Sequence, residues 1–455
     1  MMTAGEIASA VRPGEITASA IVAEALQRIN EDETNSFISV DDQARSRAQA
    51  IDEAVAKGED PGPLAGVPVA LKDLIDHEGR TNTAGSAFYR NVPDSSAPVV
   101  GLLKAAGAII IGRANLHEFA FGFDSENQWF GPVRNPWDLT TSAGGSSGGS
   151  ATAVAAGLVP LSLGTDTGGS VRVPAAMTGT FGLKVTHGAI PTRGVFPLVP
   201  SCDTVGPFAT SASDLTLIHS VLAVHDPEDP NSRQSAHTSR PIRRVGVPHP
   251  WIDDAPTSKS VSDDFAQALS SLAGKGIEVV DITIPELLPP GRIVDAIGQE
   301  VSDIHRGWVE SGKRYGDSVL PRIEAALAVD TAASEEALQW RADTRRATRQ
   351  ALSEVDALIT PAVANTKKTI GDDKIDGRNA RTVISYFSAI VNHVDLPALS
   401  LPLAISKASP PTSIQVVGDD WSETDLLAFG QFLEDEELVG FRAPSMNSQS
   451  SENEI

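Results

Sequence analysis

Apolar positions recur along this chain in short blocks whose period changes from helical to strand-like. Thr17–Asn30 carries Ile21, Leu26 and Ile29 at spacings that line one side of a helix, with Thr17 placed to cap its first turn. Thr3–Ala10 and Asp41–Lys57 also read as helices, and Arg12-Pro13-Gly14 separates the first from the second. Val67–Leu71 is different, a short and continuous apolar run of the kind a strand covered on both faces shows. From there helices and strands alternate. Ala97–Ala106 predicts a helix that Gly107 stops, and Ala108–Ile111 a strand. The Ala-rich run from Ala151 predicts a helix that turns into the strand Val159–Leu163, and Ser213–Val224 predicts an amphipathic helix.

A second passage repeats the alternation, with strands at Arg244–Pro248 and Ile277–Ile282 around a helix at Ser260–Ala273. Long helical segments come next at Pro285–Lys313 and Ala332–Val355, then strands at Asp356–Thr360 and Leu396–Leu403. Ser422–Glu436 is a final acidic helix with Ser422 as its expected cap. Such alternation implies an α/β fold, a mixed sheet with helices on both faces. No internal repeat is visible, and from about Met446 the Ser/Asn/Gln/Glu-rich tail, 446–455, reads as disordered.

Composition narrows the class. With 455 residues, 41% apolar and 21% charged, the chain is long enough for a large core. The balance of 36 basic against 59 acidic residues gives −23, which argues against binding a phosphate backbone, so no nucleic-acid partner is expected. The one cysteine, Cys202, excludes an intrachain disulfide and fits a reducing compartment and a structural role. Met1–Pro13 has no basic region followed by an apolar run, and no stretch reaches the roughly 18 apolar residues of a membrane span. The expected location is the cytoplasm, away from membranes.

The candidate chemistry lies between Gly144 and Pro174, where Gly-Gly-Ser-Ser-Gly-Gly-Ser (144–150) precedes Gly-Thr-Asp-Thr-Gly-Gly-Ser-Val-Arg-Val-Pro (164–174). Two Gly-Gly-Ser steps set Ser146 and Ser170 24 positions apart. Glycines before a serine permit a sharp turn whose N–H groups converge on an anion. A flexible linker would not alternate with core elements, and neither run has the Gly-Lys-Ser/Thr ending or the G-x-G-x-x-G spacing of a phosphate loop. Gly144–Gly148 matches the G-x-S-x-G elbow, but Asn135–Ala143 before it is polar where the elbow requires a strand.

The stretch resembles the amidase signature family, which pairs a Gly-Gly-Ser-Ser-Gly-Gly run with a downstream Gly-Gly-Ser and an upstream strand-terminal lysine. Here that lysine is Lys72, in Gly66-Val-Pro-Val-Ala-Leu-Lys-Asp-Leu-Ile-Asp76. The close likeness covers roughly Leu64–Thr210. It implies an α/β/α sandwich around a large mixed sheet. We expect a single domain over 1–445, with about 229–355 forming much of a lid or cap. The resemblance assigns Ser170 as nucleophile, Ser146 as a bridging serine after a cis peptide bond, and Lys72 as terminal base. Backbone N–H groups of Thr167, Gly168, Gly169 and Ser170 would form the oxyanion hole, Asp166 and Arg172 would fix the loop, and Ser147 would bond locally. His117 is expected to be structural.

These roles imply an amide hydrolase working through an acyl-enzyme, with no metal and no organic cofactor. Its expected substrates are small neutral acyl or aryl amides, with carbamates and esters secondary, in a pocket that includes Phe121 and Phe123. Val195–Val199, Trp308 and Trp340 are further candidates for the pocket, and no basic cluster is evident near the motifs apart from Arg193 or Arg314 at a distance. A monomer or homodimer acting on a small molecule is expected. The alternatives are the transamidating subunit of a tRNA-dependent amidotransferase, whose Tyr-rich block is not found at Gly312–Pro321, a carbamate or urethane hydrolase, a Ser-His-Asp esterase using Ser146, and a degenerate binding module.

Overall fold

The short apolar blocks become strands of one sheet. In the computed structural model, which describes residues 1–234, 238–289 and 293–445, 11 strands join it. They are β1 (Phe37–Val40), β2 (Pro68–Lys72), β3 (Ile109–Ala114), β4 (Leu161–Asp166), β5 (Phe181–Lys184) and β6 (Thr204–Ala209). β7 (Arg244–His249), β8 (Glu278–Thr283), β9 (Ala357–Pro361), β10 (Ala398–Pro402) and β11 (Ser413–Val417) complete it. Across the sheet the order is β1-β3-β2-β4-β6-β5-β10-β11-β9-β7-β8. β3, β2 and β4 are parallel, as are β9, β7 and β8, and the strands between β4 and β9 pair antiparallel. With helices on both faces this is the α/β/α sandwich around a mixed sheet.

Burial tracks position in the sheet. Every residue of β2, β4, β6 and β10 is buried, because helices cover both faces there, whereas the edge strand β8 alternates toward solvent. The helix over Ala18–Asn30 starts where the sequence places it, with Thr17 Oγ1 accepting from the Ala20 N–H at 3.2 Å. Ser422 behaves differently. Its hydroxyl donates to the Asp419 carbonyl at 2.7 Å, so it closes the preceding turn and does not cap the helix Glu423–Asp435.

Other elements depart from expectation. β1, β5, β6 and β11 have no counterpart among the predicted strands; at β1 and β11, Phe-Ile-Ser-Val and Ser-Ile-Gln-Val-Val are too short to show a period. The segment Pro285–Lys313 is not one helix; it holds 3₁₀ turns at Pro285–Leu287 and Ile293–Ala296 before the helix Gly298–Glu310, as Pro289 cannot continue a helix. His117 is followed by a single 3₁₀ turn, Glu118–Ala120, with Phe119 and Ala120 at φ of 51° and 57°. The stretch 229–355 also contributes β7 and β8 to the sheet, so only part of it can serve as a cap. The tail 446–455 lies outside the described residues.

The helix Gly148–Ala155 carries the first Gly/Ser run into the core, and Gly149 marks its closest approach. A Cβ there would stand 2.3 Å from the Asn115 carbonyl oxygen and 2.5 Å from that of Ser36, both backbone atoms that cannot swing away. Gly101, on the exposed side of the helix Pro98–Ala105, would meet nothing within 4 Å. Gly149→Ala should therefore cost about 1–3 kcal/mol or more, while Gly101→Ala should gain roughly 0.5–1 kcal/mol. Thermal or urea unfolding of the two variants checks both signs.

Candidate active site

β2 and β4 are parallel neighbours with Leu71 opposite Leu163, so Lys72 and Asp166 emerge at the same, carboxyl-terminal edge of the sheet, the usual place for a site in an open α/β sheet. Lys72 is fully buried. Its Nζ donates to Ser146 Oγ and to Thr165 Oγ1, each at 2.8 Å. Both acceptors are neutral hydroxyls, and no ion pair among the described residues includes Lys72. Burial drives its pKa down to about 7, against a partial upward pull from Asp166 and Asp203. Near neutral pH much of this lysine is a free amine.

Ser146 sits in a tight turn. The Gly145–Ser146 peptide is cis, and a Cβ on Gly145 would lie 2.7 Å from the backbone nitrogens of Asp124 and Ser125. The Ser146 carbonyl accepts from the His117 N–H and from Ser125 Oγ, each at 3.1 Å. Ser147 ties the run to β4, since its hydroxyl donates to the Thr165 carbonyl at 3.1 Å and accepts from the Thr165 N–H at 3.2 Å.

Ser170 lies on the second run, its carbonyl accepting from the Ser147 N–H at 3.3 Å. Its side chain lines a cavity of about 580 Å³ and makes no hydrogen bond to Ser146 or to any other described residue; such contacts commonly tighten only when substrate is bound. The N–H groups of Thr167, Gly168 and Ser170 are without an acceptor among the described residues. That of Gly169 is not: it donates to Asp166 Oδ1 at 2.7 Å, which removes it from the expected set of oxyanion donors.

Asp166 and Arg172 pair through two bonds, Nε–Oδ2 at 3.1 Å and Nη2–Oδ1 at 2.9 Å, with both side chains fully buried. Asp166 also accepts from the Val171 N–H at 3.0 Å and from Asn392 Nδ2 at 2.9 Å. Arg172 reaches Gln415 Oε1 at 2.7 Å, Asn392 Oδ1 at 2.6 Å and the Ser388 carbonyl at 3.0 Å. Burial works to raise the Asp166 carboxyl, but the charge and hydrogen bonds of Arg172, and then Lys184, hold it far below the usual carboxylate range. Sequence reasoning missed Thr165, Asn392 and Gln415. Only Thr165, two residues past Leu163 on β4, carried a signal, through its register with the end of β2.

The described histidines lie outside this arrangement. His117 Nδ1 faces Asp124 at 2.8 Å while its Nε2 accepts from Arg322 at 3.0 Å, and burial keeps its pKa low. His393 lines the cavity, but burial lowers its pKa to about 3, and its ring bonds neither a serine nor a carboxylate. The esterase arrangement is therefore not formed around Ser146, whose partner is Lys72. Cys202 is buried, with its thiol pushed up to about 11 by burial.

Phe121 and Phe123 line the cavity with Leu198, Trp251 and Ile293. Trp308 and Trp340 do not. Trp308 stacks on Phe196 with ring centroids 6.1 Å apart, and Trp340 Nε1 donates to the Glu286 carbonyl at 3.1 Å. Arg193 pairs with Asp226 at 2.9 Å, and Arg314 lies 5.2 Å from the Trp129 ring centre; neither lines the cavity. Among the described residues the arginine that does is Arg381, which no motif marked. Among the described residues no group of His, Cys, Asp and Glu is arranged to hold a metal ion, and no helix is long and apolar enough to cross a membrane.

Known proteins share both the sequence and the fold. The amidase family model matches residues 20–427. The A subunit of glutamyl-tRNA(Gln) amidotransferase from Halorhodospira halophila is 36% identical over 468 aligned positions, covering 94% of this chain and 96% of the relative. An inhibitor-bound structure, solved in work on a vestigial protein complex and the origins of an s-triazine catabolic enzyme, superposes with a TM-score of 0.90 at 31% identity, covering 97% of this chain and 100% of the other. The A subunit of the glutamyl-tRNA(Gln) amidotransferase from Thermotoga maritima gives 0.78 at 26% identity, covering 98% of each chain.

These relatives correct the expectation of a lone or homodimeric protein with no nucleic acid in its chemistry. A protein similar along nearly its whole length is named as one subunit of an enzyme and for a tRNA substrate. Net charge could not have excluded this, because it describes one chain, and the basic surface of an assembly can sit on another. The match over most of its length settles the family: this chain belongs to the amidase signature family, enzymes acting on the carbon–nitrogen bonds of amides.

Proposed function

We propose that the chain cleaves an amide carbon–nitrogen bond at Ser170 and releases ammonia or an amine, acting as the amide-cleaving subunit of an amidotransferase-type assembly. The observation that carries the chemistry is the 2.8 Å contact of a buried lysine, its pKa near 7, with Ser146. A serine hydroxyl needs a base to become a nucleophile. Neutral Lys72 takes the Ser146 proton as Ser146 takes that of Ser170, and Ser170 Oγ attacks the amide carbon. The N–H groups of Thr167, Gly168 and Ser170 receive the developing oxyanion. The proton returns along the same path to the leaving nitrogen, the C–N bond breaks, and water, activated by the same chain, hydrolyses the Ser170 ester. Asp166 and Arg172 hold the loop, and Ser147 holds the first run to β4.

Similarity to the Halorhodospira protein supports the assembly role. A second reading, a hydrolase of small amides, is favoured by the cavity: no acidic side chain among the described residues lines it, so nothing there faces the ammonium of an amino-acid amide such as glutamine. Tagged protein purified from its native cells should bring down stoichiometric partner chains and release ammonia from glutamine in their presence. Protein that cleaves simple amides and leaves glutamine untouched, with or without those partners, would favour the second reading.

The relay predicts its own kinetics. Ser170→Ala and Lys72→Ala should each lower kcat/KM by about 10³-fold or more, and the double variant should be little worse than either, because the groups act as one unit. Only the neutral amine accepts a proton, so wild-type kcat/KM should fall below a pH of about 7 and level off above it. Rates for a simple amide measured between pH 5 and 10 check both. An unchanged profile in Lys72→Ala would remove lysine from the mechanism.

A further inference from the structure

Arg381 lines the same cavity as Ser170, and no described residue accepts from its side-chain N–H groups. It lies on the short helix Ala380–Ser385, with its guanidinium carbon 5.7 Å from the centre of the Phe121 ring and 5.5 Å from that of Phe123. Those contacts set the guanidinium against the two rings. Among the described residues its guanidinium has no hydrogen-bond acceptor and no ion-pair partner, although its backbone carbonyl accepts from Ser385 Oγ at 2.8 Å. Its neighbour Arg322 differs, being committed to the Phe121 carbonyl at 2.6 Å and to His117 at 3.0 Å. No acidic side chain among the described residues lines the cavity.

Burying a guanidinium without an ion-pair partner is unfavourable, and the two ring contacts and the Asp124 charge offset this only in part. Its pKa is accordingly pulled down to about 10, by burial first and then by the Arg322 charge, with Asp124 opposing. A planar five-donor fork in a cavity with no acidic wall group among the described residues is suited to one ligand group above others, a carboxylate held by two parallel bonds. The remaining polar wall groups beside it, Asn379, Thr382, Ser385 and Tyr386, are neutral.

Resting on the amide-cleavage reading, we propose that Arg381 binds a carboxylate carried by the acyl part of the substrate, so that this site takes amides of dicarboxylic acids and not neutral amides. This replaces the neutral-amide preference expected from the sequence, whose premise was that no basic group stands near the motifs. Arg381 sets specificity: it holds the far end of the acyl chain while Ser170 meets its carbonyl.

The test separates binding from turnover. Ser170→Ala protein is titrated by calorimetry with the monoamides of malonate, succinate, glutarate and adipate, and with the neutral isosteres in which an isopropyl group replaces the carboxylate. At least one monoamide should bind about tenfold or more tightly than its isostere, and adding Arg381→Met, which keeps the unbranched stem against Phe121 and Phe123, should erase that difference while leaving isostere binding unchanged. Arg381→Lys should restore part of it, which a merely structural arginine would not show. Isosteres that bind as tightly as every monoamide, or a loss of affinity in Arg381→Met equal for both ligand classes, would overturn the proposal. Ammonia release is then measured in protein with Ser170 intact. Tight monoamide binding without any ammonia would defeat the amide-cleavage reading and leave the carboxylate site standing.

Discussion

The buried Asp166–Arg172 pair is the interaction on which the site depends. It closes the turn that carries Ser170, because the Asp166 carboxylate collects the N–H groups of Gly169 and Val171 at one point. Through Gln415, Asn392 and Ser388 it also fastens that turn to segments more than two hundred residues downstream. Removing one partner of such a pair costs about 3–5 kcal/mol, since the other is left charged and unpaired. The electrostatic consequence reaches further. Asp166 raises the pKa of Lys72, and the adjacent guanidinium offsets that negative charge. A bare carboxylate in the same place would favour a protonated lysine, which cannot act as a base.

The Lys72–Ser146 contact of the proposed relay was legible because it is written in residue types that core elements otherwise avoid. Packing alone does not account for a lysine ending an apolar strand or for two Gly-Gly-Ser turns flanking a helix, and their order along the chain gave the family. The sheet was legible where strands were long or continuously apolar, as at β2 and β4, and illegible at β1, where the sequence Phe-Ile-Ser-Val carries no period. Even within the motif a single role shifted. Gly169 looks equivalent to its neighbours in sequence, yet its N–H is taken by Asp166.

The cavity could not be read in this way. Much of its wall comes from 120–123, from 287–289 and 293–297, and from 379–393, stretches without a shared motif that only the fold brings together. Arg381 sits on a six-residue helix, too short to show an amphipathic pattern. Trp308 and Trp340 stood out in the sequence because tryptophan is scarce, but both are packing residues. The local motifs thus carry the family likeness, while the walls of the cavity are brought together only by the tertiary structure.

The central claim, that neutral Lys72 activates Ser170 through Ser146, is tested most directly by the pH dependence of covalent labelling with a fluorophosphonate, which needs no knowledge of the substrate. The modified residue is located by peptide mass spectrometry, and the second-order rate constant is measured across pH in wild type and in Lys72→Ala. The account predicts labelling at Ser170, a rate that rises with pH to a plateau above about 7, and a slow reaction without that inflection in the variant. Labelling at Ser146, or a wild-type rate and profile retained without Lys72, would contradict it.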